Sequence, residues 1–361
     1  MIIHAFSERL VNIMKKRNRI IIVLSIIVVF NTLVTIFVIN NLMGNNANKS
    51  KKINNDSIQG ESMEDKVQTG IYNLVKWGDE NEYIGKFYED DTSADWFTFS
   101  YDVYADFNMD ENVSSYAEKI NGYVCDAKKY IEDNKGELYL TDYERMAIVL
   151  GRVGDDNEYV QKLLSENVSG NEKDSEQEIN SEQEINSIVF ALIALDSNRD
   201  IFGGEYDEIR HTYIGLLKAV ELKDGGFAYG GDKADVDMTA MAVQALAPYY
   251  DTDESVHEVI DRSLEVISVL QDSDGGFSSY GTANSESTSQ VIIALCSLGI
   301  NPVEDSRFVK SGNMIESLLS YQNEDGGFSH VKELDSDGIA SCQAMEALTS
   351  YLTGSGIWSA E

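Results

Sequence analysis

The stretch Glu221–Tyr250, ELKDGGFAYGGDKADVDMTAMAVQALAPYY, holds a plan that the rest of the chain repeats twice. Its tetrapeptide Asp224-Gly225-Gly226-Phe227 returns as Asp274-Gly275-Gly276-Phe277 and as Asp325-Gly326-Gly327-Phe328, 50 and then 51 residues on. A fixed step of this length marks a stacked structural repeat. Each copy is followed by a polar connection and a short apolar helix, Thr239–Leu246, Thr288–Leu295 and Ser341–Leu348, whose leucines align. A longer amphipathic helix is expected before the second and third copies. Val256, Val259, Ile260, Leu264, Ile267 and Leu270 fall at the three- and four-residue steps that make one apolar stripe. The unit therefore reads as outer helix, glycine turn, inner helix. Two glycines after a helix supply positive φ and a close backbone approach, while the phenylalanine pins the turn to the core. Such pairs bury their apolar faces only by stacking, so the array ends in caps or closes on itself.

Upstream the same rhythm is weaker. Helices are expected over residues 66–77, from Ala94-Asp95-Trp96-Phe97, over 112–134, from Thr141-Asp142-Tyr143-Glu144, and over 156–164, 186–195 and 206–222. Inner helices then start near residues 95, 142, 186, 237, 286 and 339, in steps of 47, 44, 51, 49 and 53. Six pairs make twelve helices: an all-α, α6/α6 toroid occupying residues 66–361. Capping boxes at Ser115–Glu118, Thr141–Glu144, Ser181–Glu184 and Ser255–Glu258 mark helix starts. Pro248 and Pro302 sit where helices stop. The hexapeptide SEQEIN, residues 175–180, is repeated at once over 181–186 and lengthens a surface connection.

The N-terminus stands apart. Residues 20–39 carry no charge and match the span of a bilayer core. Five basic residues against one acid precede them, which places residues 1–19 in the cytoplasm and everything beyond the apolar run outside. Residues 20–43 are thus expected to be an uncleaved signal anchor of a single-pass cell-membrane protein, since no small-x-small cleavage site or lipobox cysteine is apparent. Residues 44–65 read as a flexible linker. The net charge of the chain is −34, and with +4 on the cytoplasmic tail the exterior part carries −38. A surface this acidic repels nucleic acid and anionic headgroups, and it attracts cations or basic partners.

The glycine turns carry a resemblance. Gln271-x-x-x-Gly275-x-Phe277 and Gln322-x-x-x-Gly326-x-Phe328 resemble the Gln-x-x-x-Gly-x-Trp repeat of squalene and terpenoid cyclases, with Phe for Trp and with Glu221 for Gln in the first copy. Asp235-Val236-Asp237-Met238-Thr239-Ala240 resembles the Asp-x-Asp-Asp-Thr-Ala catalytic motif of class II cyclases. The resemblance spans roughly residues 66–353 and implies the α/α toroid shared with protein prenyltransferase β subunits, transcobalamin-like carriers and the complement thioester domain. It is nearest to membrane-anchored or secreted toroid proteins of Gram-positive bacteria.

Each branch of that superfamily implies a different chemistry. In a cyclase the middle aspartate, here Asp237, protonates an isoprenoid double bond while flanking aspartates hold it in its acidic form. Met238 replaces one of those aspartates, and class II cyclases build their active site between two helical domains, where one toroid is expected here. The prenyltransferase zinc site needs an aspartate, a cysteine two residues on and a distant histidine. Cys342 has Asp337 five residues upstream, so that spacing fails, and His211, His257 and His330 show no ligand pairing. No metal is expected, and the sequence leaves any cofactor unknown. The thioester sequence Gly-Cys-Gly-Glu-Gln is absent. Cys125, Cys296 and Cys342 are expected to be buried thiols, with a bridge between two of them left open. No Ser-His-Asp set or phosphate loop is present.

A binding protein remains, probed for a small molecule, an isoprenoid-like ligand or a surface protein. Parallel inner helices bring their N-termini to one rim, each with a carboxylate: Asp95, Asp142, Asp237, Glu286 and Asp337. With Asp235 and the aromatic residues Trp96, Tyr143 and Tyr229 these form the expected pocket of apolar walls and a few placed polar groups. The plainer expectation for the same carboxylates is helix capping and first-turn complementation of the dipole. Carriers of the transcobalamin type cover the rim with a second domain; here a partner protein would serve as the lid.

Overall fold

All three Asp-Gly-Gly-Phe turns fold alike in the computed structural model, which describes residues 62–108, 116–154, 156–167 and 181–359. The aspartate accepts the N–H two residues on, Asp274 from Gly276 at 3.1 Å and Asp325 from Gly327 at 3.0 Å. The first glycine takes positive φ: 92° at Gly225, 93° at Gly275 and 97° at Gly326. The phenylalanine ring is buried, and its N–H donates to a hydroxyl one turn into the next inner helix. Phe227 reaches Thr239 at 3.0 Å, Phe277 reaches Thr288 at 3.1 Å and Phe328 reaches Ser341 at 2.9 Å. The hydroxyl four residues after each helix cap thus ties the turn to the helix that follows it.

Twelve α-helices lie among the described residues: α1 Met63–Glu80, α2 Ser93–Asn108, α3 Tyr116–Asp133, α4 Leu140–Val153, α5 Asn157–Asn167, α6 Ser181–Ser197, α7 Asp207–Val220, α8 Val236–Leu246, α9 Glu254–Leu270, α10 Ser285–Ser297, α11 Met314–Leu319 and α12 Gly338–Thr353. The even-numbered helices form an inner ring in which each packs on the next and α12 packs on α2, so the ring closes. The odd-numbered helices lie outside: α3 and α5 against α4, α7 against α6, α9 against α8, α11 against α10, and α1 against α12. One outer helix separates each pair of inner helices in sequence, so the inner six run in the same direction. The core is the apolar seam between the two layers, from Val67 and Ile71 on α1 to Ala347 and Leu348 on α12. Among the described residues the toroid is all-α apart from a hairpin in the second turn, where β1 Phe277–Ser279 pairs antiparallel with β2 Thr282–Asn284.

Several local expectations are corrected. The long outer helix expected before the third copy is missing: α11 has 6 residues, and turns over 301–313 bury Phe308 in its place. α9 is capped by Asp253, whose carboxylate accepts the N–H groups of Ser255 and Val256, and not by Ser255. Asp142 reaches back to the N–H of Tyr139 to start α4, so Thr141 is not its cap. Glu144 is instead turned inward, where it accepts Ser187 Oγ at 2.9 Å. α1 begins at Met63 with Ser62 and Asp65 forming its capping box, which shortens the linker by four residues. Ser115 and the side chains of Ser181–Glu184 lie outside the described residues, as do the first hexapeptide copy, the basic tail, the proposed anchor and the linker up to residue 61. Among the described residues no helix is long and apolar enough to cross a membrane.

Candidate functional site

The axis of the ring is occupied by aromatic rings. Trp96 on α2 stacks on Phe190 of α6 with centroids 5.6 Å apart. α4 separates these helices in the ring, so the two rings meet across the lumen. Past α12 the chain makes a 3-10 turn, Ile357–Ser359, that inserts Trp358 at 5.4 Å from Phe99 and 5.7 Å from Trp96. Its indole N–H donates to Gln244 of α8 at 2.8 Å. α2 and α8 face each other in the ring, which puts Trp358 on the axis.

The facing wall is polar. Gln244 donates to Gln290 Oε1 at 2.8 Å, and Gln290 donates to Gln343 Oε1 at 3.1 Å, linking α8, α10 and α12. Helical spacing sets Met241 and Asp237 on the same face as Gln244, Glu286 on that of Gln290, and Ile339 and Glu346 on that of Gln343. Glu346 is buried, and desolvation pushes its carboxyl up to about 8.

At the mouth formed by the inner-helix N-termini, the expected residues divide into two groups. Asp235 caps α8, accepting Met238 N–H at 2.8 Å and Tyr229 N–H at 3.0 Å. Burial raises its carboxyl, the bonds to those amides pull it down, and the nearby charge of Asp237 raises it further. Asp337 caps α12 in the same way, through Ala340 N–H at 2.9 Å and His330 N–H at 3.1 Å. Asp237 occupies the second helical position of α8, half-buried, with its Oδ1 buried and without a hydrogen-bond partner among the described residues. Glu286 meets His330 Nδ1 at 2.9 Å, and Tyr229 is exposed. These residues share the heads of three consecutive inner helices.

Asp95, Asp142 and Tyr143 do not join them. Asp95 is fully buried between helices, accepting Tyr123 Oη at 2.7 Å and Arg145 Nε at 2.9 Å. Burial raises its carboxyl to about 6 against the opposing pull of Arg145 and Tyr123. Asp142 holds Arg145 at 3.0 Å as well as its own helix start. Tyr143 is buried, its hydroxyl accepting Gly136 N–H at 3.2 Å. Ion pairing and packing consume all three, and Trp96 belongs to the lumen instead of the rim.

Sequence reading missed His330, the glutamine chain, Glu346 and Trp358. Lone glutamines at 244, 290 and 343 inside otherwise apolar inner helices were an available signal. It also missed a cavity of about 690 Å3 at the opposite mouth, lined by Ile193, Asp196, Asp200, Pro248, Ser297 and Trp358 among others. Cys296 and Cys342 are buried free thiols, while Cys125 is free and exposed on α3, contrary to expectation. Among the described residues no three metal-ligating side chains cluster.

Residues 157–353 match the prenyltransferase alpha-alpha toroid domain, more than half of the chain. The chain belongs to that family. It is 30% identical over 138 residues to drimenyl diphosphate synthase of Streptomyces showdoensis, a match covering 37% of this toroid protein and 25% of the synthase. The toroid chain therefore aligns with about a quarter of that relative's length. Among solved structures it is similar to a glycosyl hydrolase family 88 protein from Bacteroides vulgatus, with a TM-score of 0.57 and 11% identity over 81% of this chain and 100% of that one. A protein described as a possible member of the GH105 family, from Klebsiella pneumoniae, gives a TM-score of 0.51 and 12% identity over 83% and 96%. At these identities the two structures speak for the fold alone.

Proposed function

We propose that this toroid protein is an extracytoplasmic binding or interaction module, anchored to the cell membrane through residues 20–43, which takes a small or hydrophobic ligand at the mouth lined by Tyr229, Asp235, Asp237, Glu286 and Asp337 and does not transform it. The carrying observation is Trp358. Its indole stands on the axis between Trp96, Phe99 and Gln244, where a long apolar substrate would have to thread. Native mass spectrometry of the full chain purified from its own host tests the reading: a retained, unmodified ligand supports it, and its absence from wild type and from Asp237→Asn alike counts against it. Anchor and orientation are tested by protease added to intact cells, which should release the toroid by cutting within residues 44–61. Protection of that stretch would reverse the orientation.

A second reading is a cyclase-like enzyme with Asp237 as general acid. It is favoured by the relative that is a terpenoid synthase and by the unpartnered Oδ1 of Asp237. Against it stands Met238, buried where the motif would supply a further carboxylate to hold the acid's proton. Incubation of the full chain with a panel of linear isoprenoids separates the two. Product from wild type that disappears in Asp237→Asn at unchanged Tm makes the protein a cyclase.

A further inference from the structure

Trp358 fills a box shaped for a flat ring. Phe99 stacks on its indole with centroids 5.4 Å apart and an interplanar angle of 30°, and Trp96 meets it edge-on at 5.7 Å and 75°. Trp96 is backed in turn by Phe190 at 5.6 Å, so the walls are set by side chains of the inner helices. The polar end of the box has a fixed sense. Gln244, 3% exposed, donates its amide to Gln290 O at 3.0 Å and to Gln290 Oε1 at 2.8 Å. A backbone carbonyl only accepts, so the amide is held with Oε1 turned toward the indole N–H, which reaches it at 2.8 Å. Gln290 hands its own amide on to Gln343 in the same sense. An occupant without a donor would leave a buried acceptor unsatisfied, which costs free energy.

The present occupant is lightly tied. Among the described residues its indole makes that one hydrogen bond, and no backbone hydrogen bond joins residues 356–359 to an inner helix. The turn is seated by Ile357, which is buried, whereas Trp358 is only partly so. Trp358, Ser359 and Gln244 also line the cavity of about 690 Å3 at the mouth where the inner helices end. The indole therefore has room to swing out about its own side-chain bonds while Ile357 stays in place, and the vacated box opens to that mouth.

We propose that the box is a second binding site, separate from the rim, for a flat heteroaromatic molecule with a ring N–H, and that Trp358 is its built-in competitor. A ligand of this class reproduces both sets of contacts, its ring against Phe99 and Trp96 and its donor on Gln244. A ring without a donor leaves Oε1 bare, and an acyclic chain forfeits the stacking. Because the box fills itself, the apparent affinity is set by the fraction of molecules in which Trp358 has left it.

The test is fluorine NMR of the full chain labelled with fluorotryptophan. Its three tryptophans, Trp77, Trp96 and Trp358, give three resonances, assigned with Trp96→Phe and Trp358→Phe. Titration with indole is expected to move the Trp358 and Trp96 resonances saturably and to leave that of Trp77, on the outer helix α1, in place. Benzofuran, the same shape with a ring oxygen for the N–H, is expected to need a concentration at least about tenfold higher. Calorimetry of Trp358→Ala, whose box is empty, is expected to show indole binding at least about tenfold tighter than in wild type. Absence of a saturable Trp358 shift, equal potency of benzofuran, or a folded Trp358→Ala that binds indole no better than wild type would each overturn the proposal. Should Trp358→Ala not fold, the wild-type titrations decide.

Discussion

Gln322 donates its side-chain amide to the carbonyl of Gly70 at 2.8 Å, a hydrogen bond between residues 252 positions apart. The same amide donates to Gly326 O at 2.9 Å inside its own turn. Gln271 does the equivalent in the second turn, bonding Gly275 O and Phe308 O, both at 2.9 Å. The motif glutamine is thus a clasp between one glycine turn and the outer layer of the next repeat. In the third copy the next repeat is α1, the first of the chain, so a local repeat device closes the ring.

Gly326 is the tightest point of that closure. Its φ is +97°, and a Cβ there would stand 2.4 Å from the backbone oxygen of Asn73 on α1. Gly136 also has positive φ, +88°, with open space around it. Gly136→Ala should cost about 1 kcal/mol from backbone strain alone. Gly326→Ala adds a clash with a rigid carbonyl and should cost about 3 kcal/mol or more. Denaturant midpoints of the two variants at unchanged m give the comparison; equal losses would mean that α1 yields without resistance.

The first copy replaces the clasp with an ion pair. Arg262 on α9 places Nε and Nη2 at 2.7 and 2.9 Å from the two carboxylate oxygens of Glu221. Arg262 is nearly half exposed, so the pair contributes little, on the order of 1 kcal/mol or less. Glu221→Gln restores the repeat residue, whose amide can take the carbonyl of Gly225 in the way Gln271 takes that of Gly275. Its Tm should therefore fall within about 2 °C of wild type, whereas Glu221→Ala, with neither partner, should melt lower than Glu221→Gln. The reverse order would show that the pair matters more than the clasp.

How much of this was legible in the sequence follows from where each signal lives. The turns were readable because positive φ and a pinned ring demand Gly and Phe at fixed places, whatever surrounds them. The step between turns then gave the ring. The rim was half legible. Asp235 and Asp337 announce themselves as caps, but Asp95 looks the same in sequence and differs only because Tyr123 and Arg145, far along the chain, reach it. The short α11 escaped because Phe308 satisfies the core from a turn, and an apolar residue does not declare the backbone that carries it. Trp358 escaped because its partners belong to helices on opposite sides of the ring.

Glu346 gives the fold a pH dependence whose sign runs against acid denaturation. Burial raises its carboxyl from 4.5 to about 8, so the folded state keeps a proton that the unfolded chain releases. Below about pH 4.5 both states are protonated and the group is neutral in the balance. As pH rises toward 8 the unfolded state gains free energy of ionisation that the folded state lacks, and stability falls by about 1.4 kcal/mol for each pH unit, several kcal/mol in all. Glu346→Gln, which keeps the shape and cannot ionise, should melt near wild type at pH 5 and above it at pH 9. Parallel Tm profiles for the two proteins over that interval would show that the carboxyl is solvated in the fold.

Asp235 and Asp237, two residues apart at the head of α8, should separate cleanly by substitution. Asp235 satisfies two backbone N–H groups with one carboxylate, those of Met238 and Tyr229, and so holds both the helix start and the loop after the first turn. Asp235→Ala should therefore cost about 1–2 kcal/mol, and Asp235→Asn much less, since an amide oxygen caps nearly as well. Asp237 takes no such bond on its buried Oδ1 and contributes to the fold through the helix dipole, so Asp237→Ala should cost less than about 1 kcal/mol. Thermal melts of the three variants decide the matter: a loss at Asp237 equal to that at Asp235 would make it a structural residue and remove it from the candidate site.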